Sequence, residues 1–348
     1  MPTQNLSPIR RKLLQWYDQN QRDLPWRRTS DPYAIWISEI MLQQTQVAIV
    51  LPYYEKFLRA FPTIDALDRA PLERVLRSWS GLGYYRRAEN LKKAVRQIRR
   101  AHGGALPREF RALRQLPGIG DYTAGALMSI AFHQRYPAID GNARRVLGRL
   151  FALADAKPLG ALASALVSRS RPADFNQALI ELGATRCHPH EPQCTRCPLS
   201  ADCAENSSTR PTLQRRQRNR VQFKDVTWPL AIVRQRGRIL LRRRGANGLL
   251  ARLWELPGGE IPAGSGALAF LRSELKSLAL SFKDRNLLGE IRHSITDHRI
   301  RAPIYLIDCP TEAKLRLPNT RWRWVDLNSL THQAISSMTT KALKLLSP

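Results

Sequence analysis

Four of the five cysteines lie close together in the chain. Cys187, Cys194, Cys197 and Cys203 have the spacing C-x6-C-x2-C-x5-C, whereas Cys309 stands apart. Thiolates gathered so closely can converge on a small, positively charged centre. Structural zinc sites usually take their ligands as two close pairs, but here one close pair has a single cysteine on either side. The spacing therefore favours a four-iron cluster held by four thiolates and leaves zinc as the alternative.

Glu39 is a candidate for acid–base chemistry, because it is the one charged residue between Asp31 and Glu55. A carboxyl group buried among apolar side chains has a raised pKa, since burial penalises its charged form. Such a group can donate a proton near neutral pH. The alternative is an exposed position on one face of an amphipathic helix, which the sequence does not exclude.

Asp140 is a second carboxylate of interest. Gly141 and Asn142 follow it, and a segment with helical periodicity begins at Ala143. An aspartate at this place is expected to cap the helix N-terminus. A carboxylate held there can also stay ionised and face a developing positive charge, so that the structural and the chemical roles are compatible.

The segment LPGIG, residues 116–120, joins two helical segments. Gly118 and Gly120 permit a tight turn whose backbone N–H groups face outward. Together with the N-terminus of the next helix, such donors can form a seat for a phosphate group. A plain helix–helix turn is equally compatible with these residues.

Helices are expected to position these groups, because apolar residues recur at helical spacing through the first two hundred residues. The segments are 6–19, 34–60, 72–79, 86–101, 123–132, 143–154 and 175–182, separated by Gly- and Pro-containing stretches. We therefore predict a mostly α domain of two helical lobes over residues 1–205. One lobe contains Glu39, Tyr84 and Tyr122, and the other combines the N-terminal helix with residues beyond about 135.

The pattern changes after Cys203. Residues 206–226 are polar and basic, which is typical of a linker. Beyond them, short segments with partial alternation predict strands, at 230–233, 239–243, 301–307 and 321–325. Helical segments at 267–278 and 331–346 complete an α+β domain over residues 227–348.

The net charge indicates a polyanionic partner. The 348 residues carry a formal charge of +28, which is self-repelling unless it meets phosphate groups. A membrane-surface protein is disfavoured, because neither a basic amphipathic anchor, nor a lipidation signal, nor a membrane-spanning stretch occurs. With no signal peptide and reduced cysteines, we expect a cytoplasmic protein that acts at the bacterial nucleoid.

Several motifs together resemble the MutY type of adenine DNA glycosylases, in the right order and over nearly the whole chain. They are SEIMLQQTQV, LPGIGDYTAGA, AIDGNARRV and the cysteine spacing. The resemblance identifies the glycine-rich turn as a helix-hairpin-helix motif and the cysteines as ligands of one [4Fe–4S] cluster. It implies a monomer that excises adenine opposite 8-oxoguanine or guanine from double-stranded DNA.

The resemblance also assigns catalytic roles. Glu39 protonates the leaving adenine, and Asp140 stabilises or captures the oxocarbenium-like sugar, as in two-carboxylate glycoside chemistry. The adenine must leave the base stack to reach them. Asn142 supports the pocket. Tyr122 stands where bifunctional relatives carry a Schiff-base lysine, so strand cleavage through an imine should be weak or absent.

Further residues match DNA-contacting positions of the family. They are Arg22 and Trp26 near the adenine pocket, Gln43 and Gln44 one turn beyond Glu39, Leu82 and Tyr84 after a flexible turn, and Gly118 and Gly120 of the hairpin. Tyr84 matches the wedge position, at which an aromatic ring can fill the gap left by a flipped base. Ordinary core packing is the alternative for Tyr84.

The segment LLARLWELPGG, residues 249–259, resembles the Nudix-like C-terminal domain of the same glycosylases. The following helix has Glu274 but no pair of glutamates in the register that holds magnesium, so pyrophosphate hydrolysis is not expected. The resemblance implies a domain that recognises 8-oxoguanine. Its candidate contacts are Thr296, Asp297 and His298. If the alignment has no gap, the family's histidine position falls on Asp297, with His298 next to it.

Three other interpretations remain. An endonuclease III-type glycosylase for pyrimidine lesions is disfavoured by the missing lysine and by the second domain. A non-catalytic binder of mismatched or damaged DNA is disfavoured by intact Glu39 and Asp140. A zinc-stapled architectural DNA protein would be colourless, whereas an iron–sulfur protein is brown.

Overall fold

The computed structural model describes residues 6–153, 158–206, 223–262, 265–278, 286–310, 317 and 319–346. The chain forms two compact units, Met1–Ala70 with Glu89–Arg220 and Pro71–Ala88 with Val221–Pro348. The first is helical and the second is built on a mixed sheet, which confirms the predicted fold class. Within the described ranges, no helix is long and apolar enough to cross a membrane.

Short helices connected by tight turns build the N-terminal half of the chain. They are α1 (Ser7–Asn20), α2 (Pro32–Leu42), α3 (Val47–Ala60), α4 (Ile64–Arg69), α5 (Leu72–Ser78), α6 (Arg86–Ala101), α7 (Phe110–Arg114), α8 (Asp121–Ala126), α9 (Gly141–Leu150), α10 (Leu159–Leu166) and α11 (Pro172–Thr185). A π-helix, Leu127–Ala131, continues α8. Helix α5 and residues up to Ala88 group with the second unit, whereas the sequence interpretation placed Tyr84 in a helical lobe of the first domain.

One core of the first unit joins α1 to α9, α10 and α11. Its buried side chains include Leu13, Leu147, Leu166 and Phe175. Cys187, Cys197 and Cys203 pack against the same core. This arrangement agrees with the predicted lobe that combines the N-terminal helix with residues beyond about 135, because apolar burial brings the two ends of the unit together.

The prediction of a single helix over residues 34–60 is wrong, because the helix is interrupted between α2 and α3. Gln44 has a left-handed backbone with φ of 57°, and Gln46 adopts an extended conformation before α3 begins. Three glutamines and a threonine occupy residues 43–46, so no apolar side chain holds this stretch in a helix. The break turns the chain directly after the helix that carries Glu39.

Among the residues that the structure describes, the second unit contains a seven-stranded sheet. Its strands are β1 (Lys224–Thr227), β2 (Leu230–Gln235), β3 (Arg238–Arg243), β4 (Trp254–Glu255), β5 (Leu287–Ile295), β6 (His298–Asp308) and β7 (Trp322–Asp326). The order is β1-β6-β2-β3-β4, with β5 paired to β6 and β7 paired to β3. Strands β1 and β2 run parallel to β6, and the other pairs are antiparallel. Helices α12 (Ala267–Glu274) and α13 (Ser337–Leu343) complete the unit.

Strands β1, β4 and β5 were not predicted from sequence. Strand β5 buries only one of its nine residues, Ile291, and β4 has two residues, so neither shows the expected alternation. Strand β1 begins at Lys224, inside the segment predicted as a linker. Most of that segment, residues 207–222, lies outside the described residues.

Candidate active site

Helix α2 places Glu39 in apolar surroundings. Every residue from Tyr33 to Met41 is buried, and Glu39 itself is 6% exposed. Its Oε2 atom is buried and has no hydrogen-bond partner among the described residues. Burial, the largest influence, and the charge of Asp140 together raise the pKa of Glu39 to about 7, although a hydrogen bond with Tyr122 lowers it. Near neutral pH the carboxyl group is therefore a proton donor with one free oxygen.

Tyr122, the second residue of α8, is the hydrogen-bond partner of Glu39. Burial raises the pKa of Tyr122 far above its usual range, and the carboxyl groups of Glu39 and Asp140 add to the effect. The phenol therefore stays neutral and can orient Glu39, but it supplies no amine that could form an imine.

Asp140 is the N-cap of α9, as its position before the helix predicts. Its Oδ1 accepts from the Ala143 backbone N–H at 2.6 Å, and its Oδ2 accepts from Asn142 Nδ2 at 3.0 Å. Burial raises the pKa of Asp140, whereas these hydrogen bonds lower it. The helix amides thus favour the ionised form of a half-buried carboxyl group, which can face a positive charge.

A chain of hydrogen bonds links Asp140 to the cysteine loop. Asn142 donates to Asp140, and Arg145 Nη2 in turn donates to Asn142 Oδ1 at 2.7 Å. Arg145 also donates to the carbonyl oxygens of Gly183 and Cys187, each at 2.8 Å. A Cβ on Gly183 would lie 2.6 Å from the Asn142 Cβ, so α9 and α11 approach closely here only because residue 183 is glycine.

Arg22 and Arg27 pair with a buried carboxylate that sequence reasoning missed. Glu181 is fully buried in α11 and accepts from Arg22 Nε at 2.6 Å and from Arg27 Nη2 at 2.8 Å. These guanidinium groups lower the pKa of Glu181 against the effect of burial. Trp26 is buried and packs edge-on against Tyr54 with ring centroids 5.3 Å apart. Glu181 could have been noticed by the signal that revealed Glu39, a charged residue within an uncharged stretch, because residues 175–180 and 182–185 carry no charge.

The hairpin before α8 contains one left-handed glycine. Gly118 has φ of 84°, whereas Gly120, the N-cap of α8, has φ of −90° and an extended conformation. Gln43 Nε2 donates to Thr123 Oγ1 at 3.2 Å and so connects the end of α2 to the beginning of α8. Gln44 is exposed. The Glu39 helix and the hairpin therefore meet at this point.

The candidate wedge residues of the second unit differ in exposure. Tyr84 is 45% exposed, whereas Leu82 is buried at 4%. Tyr84 also has a left-handed backbone, with φ of 46°. Ordinary core packing therefore does not describe Tyr84, and Leu82 does not present its side chain to a partner.

The four cysteines lie within electrostatic reach of one another. Burial, and to a smaller degree the charges of the other three cysteines, raise the pKa of Cys197 to about 11. Arg149 Nη1 donates to Cys187 Sγ at 3.2 Å, which is an environment suited to a thiolate ligand. Within the part of the chain that the structure describes, no group of three or more His, Cys, Asp or Glu residues is arranged to hold a metal ion.

Thr296, Asp297 and His298 lie together at one turn. Thr296 and Asp297 connect β5 to β6, and Thr296 has φ of 53°. Asp297 Oδ1 lies 2.9 Å from Thr296 Oγ1 and 2.8 Å from His298 Nδ1. Thr296 and Asp297 are exposed, and the three polar side chains are linked to one another at the turn between β5 and β6.

The carboxylates near the Nudix-like segment are neutralised by arginines. Glu255 is fully buried and pairs with Arg242 at 3.3 Å and with Arg244 at 2.9 Å. Glu274 also pairs with Arg242. The carboxylate oxygens of Glu255 and Glu274 are therefore paired with guanidinium groups and are not arranged as ligands of magnesium.

Two family models match the chain. One, described as HhH-GPD superfamily base excision DNA repair protein, matches residues 37–169, and the NUDIX domain matches residues 229–345. Among solved structures, a thermostable thymine-DNA glycosylase is 32% identical, with a TM-score of 0.56 over 58% of this chain and 96% of that chain. An endonuclease III–DNA complex, 22% identical, has a TM-score of 0.53 over 60% of this chain and 97% of that one, which shows a shared fold.

Curated relatives are similar over most of the chain. An adenine DNA glycosylase of Rattus norvegicus is 36% identical, over 91% of this chain and 74% of the relative. One of Homo sapiens is 35% identical, over 91% and 70%. One of Buchnera aphidicola subsp. Baizongia pistaciae is 33% identical, over 91% and 90%.

Proposed function

The chain belongs to the adenine DNA glycosylases, and from this premise we propose that it removes adenine mispaired with 8-oxoguanine or guanine in double-stranded DNA. One observation carries the proposal: Glu39 has a pKa raised to about 7 and a carboxyl oxygen with no hydrogen-bond partner among the described residues, and it lies within electrostatic reach of Asp140. A proton donor beside a carboxylate is the pair that cleavage of a glycosidic bond requires.

The proposed reaction is hydrolysis of the N-glycosidic bond. Glu39 donates its proton to a ring nitrogen of adenine, and the bonding electrons leave with the base. Asp140 stabilises the positive charge that develops on the sugar, until water attacks the anomeric carbon and its proton is taken up in the site. Tyr122 orients Glu39, and Asn142 orients Asp140. Because residue 122 is not lysine, the DNA strand stays intact.

DNA is the proposed partner, and the adenine must be extruded from it to reach Glu39. We assign the pocket for the base to Trp26 and Arg22. We assign a phosphate contact to the turn around Gly118 and Gly120, at the N-terminus of α8, where backbone N–H groups can act as donors. Exposed Tyr84 is assigned to the gap in the base stack.

Gln43 and Gln44, at the break after α2, complete the proposed DNA contacts. Gln43 is anchored to α8 through Thr123, and Gln44 is exposed. The buried side chain of Leu82 makes it a support for its turn and not a direct contact. Thr296, Asp297 and His298 are proposed to recognise the 8-oxoguanine, because their polar side chains are gathered at an exposed turn.

A [4Fe–4S] cluster is the proposed cofactor. Cys187, Cys194, Cys197 and Cys203 would hold it, in a loop that Arg149 fastens to α9 through Cys187 Sγ and the carbonyl oxygen of His188. The bound cluster supplies a rigid centre that orders this loop. Iron ligation needs reduced thiols, which supports a cytoplasmic location. A monomer suffices, because one chain supplies both carboxyl groups and the hairpin.

The excision experiment uses duplexes with a single adenine opposite 8-oxoguanine, guanine or thymine. Under single-turnover conditions followed by alkali, the first two should break at the adenine and the third should stay intact. Glu39→Gln should abolish the break without abolishing binding, and Glu109→Gln, at an exposed glutamate, should behave as the unmodified chain. Binding without excision would support the non-catalytic alternative, and cleavage at a pyrimidine lesion would support the endonuclease III type.

A further inference from the structure

A single carboxylate connects helix α5 to the sheet of the second unit. Glu73, in the first turn of α5, accepts a hydrogen bond from Trp254 Nε1 at 3.1 Å. The same carboxylate lies 3.7 Å from Arg323 and 4.0 Å from Arg243. Trp254 is 1% exposed, and both guanidinium groups lie over its ring, at 4.5 and 5.9 Å from the centroid. Removal of Glu73 would leave two cations together around a buried indole donor.

The other end of α5 is also fastened to the second unit. Ser80 Oγ donates to the carbonyl oxygen of Ile335 at 2.7 Å, and Arg77 Nη1 donates to that of His332 at 3.3 Å. The acceptor segment is itself joined to β4, because the Trp254 N–H donates to the carbonyl oxygen of Ala334 at 2.8 Å. Helix α5 is thus held at both ends by one edge of the sheet.

Helix α5 leads directly into the turn that presents Tyr84. Trp79, fully buried at the end of the helix, donates from Nε1 to the Gly83 carbonyl oxygen at 3.2 Å. Arg87 lies between two aromatic rings, 5.5 Å from the Trp79 centroid and 5.3 Å from that of Tyr84. Arg87 Nη2 donates to Leu82 and Gly83 carbonyl oxygens as well. The exposed Tyr84 ring is therefore in contact with Arg87, which in turn contacts Trp79 at the end of α5.

We propose that Glu73 is a positioning residue through which the C-terminal domain holds Tyr84 in place. The contacts run from Trp254 to Glu73, along α5 to Trp79, and through Arg87 to the Tyr84 ring. An exposed aromatic ring on a rigid turn can stack on bases, and its usefulness depends on where the turn is held. This inference rests on the proposed function, in which Tyr84 fills the gap beside the extruded adenine.

Hydrogen exchange of the full chain without DNA tests the structural part. Glu73→Ala should speed exchange of the amides of residues 79–87 by about tenfold, the effect of losing one charge-assisted hydrogen bond. Residues 116–121 of the hairpin should not change. Glu73→Gln, which keeps an acceptor for Trp254, should give a smaller effect, and Glu109→Ala is the matched control. Unchanged exchange over 79–87 would overturn the proposal.

A double-mutant cycle tests the functional part. Glu73→Ala should lower the single-turnover excision rate by about tenfold when Tyr84 is present. In the Tyr84→Ala background it should have no further effect, because the residue that it positions is gone. Equal losses in both backgrounds would mean that Glu73 acts only on general stability and would refute the positioning role. If the unmodified chain released no adenine, the proposed function would fail, whereas the exchange result would be unaffected.

Discussion

Glu39 and Asp140 are chemically similar groups with opposite tasks, and their surroundings account for the difference. Glu39 is enclosed by apolar residues of α2, and its Oε2 atom has no partner in the described structure. Asp140 is also partly buried, but a backbone N–H of α9 and the Asn142 amide stabilise its charge. One carboxyl group is therefore suited to donate a proton, and the other to remain an anion.

The excision rate should depend on the protonation of Glu39. Because the pKa of Glu39 is raised to about 7, its acid form dominates below that pH, and the rate should fall as pH rises through about 7. The Tyr122 hydrogen bond lowers this pKa, so Tyr122→Phe should raise it and move the fall in rate to higher pH. We expect a displacement of about one pH unit, which corresponds to one charge-assisted hydrogen bond.

Single-turnover rates on the adenine–8-oxoguanine duplex, measured from about pH 5 to about pH 9, would check this displacement. Glu39→Gln serves as the control, since it should excise no adenine at any pH in this range. If the fall moved to lower pH in Tyr122→Phe, or persisted in Glu39→Gln, another group would have to be the acid.

At this scale, sequence alone finds a residue type in an unusual setting but not its partner. Glu39 was recognised because it is the one charge in a long apolar run. Its contact with Tyr122, by contrast, depends on the meeting of α2 and α8. The pairing of Arg22 with Glu181 spans 159 residues, and no local pattern indicates it. Likewise, the exposure that separates Tyr84 from Leu82 appears only when the turn is folded.

At the scale of elements, the hairpin at residues 116–120 contains two glycines with different backbone conformations. Gly118 has φ of 84°, and a Cβ added to it would lie 3.0 Å from the Asn90 Cβ. Gly120 has a negative φ, and a Cβ there would meet nothing within 4 Å. Both glycines permit a turn, as the sequence indicated. The backbone conformation, however, requires glycine only at position 118.

Gly118→Ala should therefore destabilise the chain by about 1 kcal/mol or more and weaken DNA binding, because an L-residue is strained in the left-handed region. Gly120→Ala should leave stability within about 0.5 kcal/mol of the unmodified chain. Thermal unfolding and the affinity for a duplex carrying the mismatch would be measured for both variants. Equal losses for the two would show that strain at Gly118 is not the cause.

Element boundaries were predictable where hydrophobic periodicity changes and not where it continues. Apolar residues at helical spacing stand on both sides of the four polar residues 43–46, so the break at Gln44 was missed. Strand β5 buries only one of its nine residues and lacks a buried face with a clear period. The cap at Asp140 was predicted correctly, because a helix N-terminus has a residue signature of its own.

At the scale of the whole molecule, the two units were predictable from composition, but their membership was not. The shift from helical to alternating segments after Cys203 indicated a change of architecture. The grouping of residues 71–88 with the C-terminal sheet depends on long-range contacts such as that between Glu73 and Trp254, 181 residues apart. From sequence alone, a carboxylate in the first turn of a short helix is explained by its favourable interaction with the helix N-terminus. Its bond to a distant indole becomes visible only in the folded chain.

The formal charge of +28 should make the affinity of this chain for DNA depend on salt. Each phosphate neutralised by the protein releases counterions, so affinity for DNA should fall steeply as salt rises, by about 10³- to 10⁵-fold between roughly 50 and 200 mM if about six to ten phosphates are contacted. Phosphate contacts carry no base information, so duplexes with and without the mismatch should give similar slopes. The preference for the mismatch should therefore change little with salt.

Anisotropy titrations with Glu39→Gln, which should bind without cleaving, would measure both slopes. A slope near zero would mean that the excess charge lies away from the DNA, and a mismatch preference that disappears with salt would mean that recognition depends on phosphate contacts and not on the turn at Thr296 and Asp297.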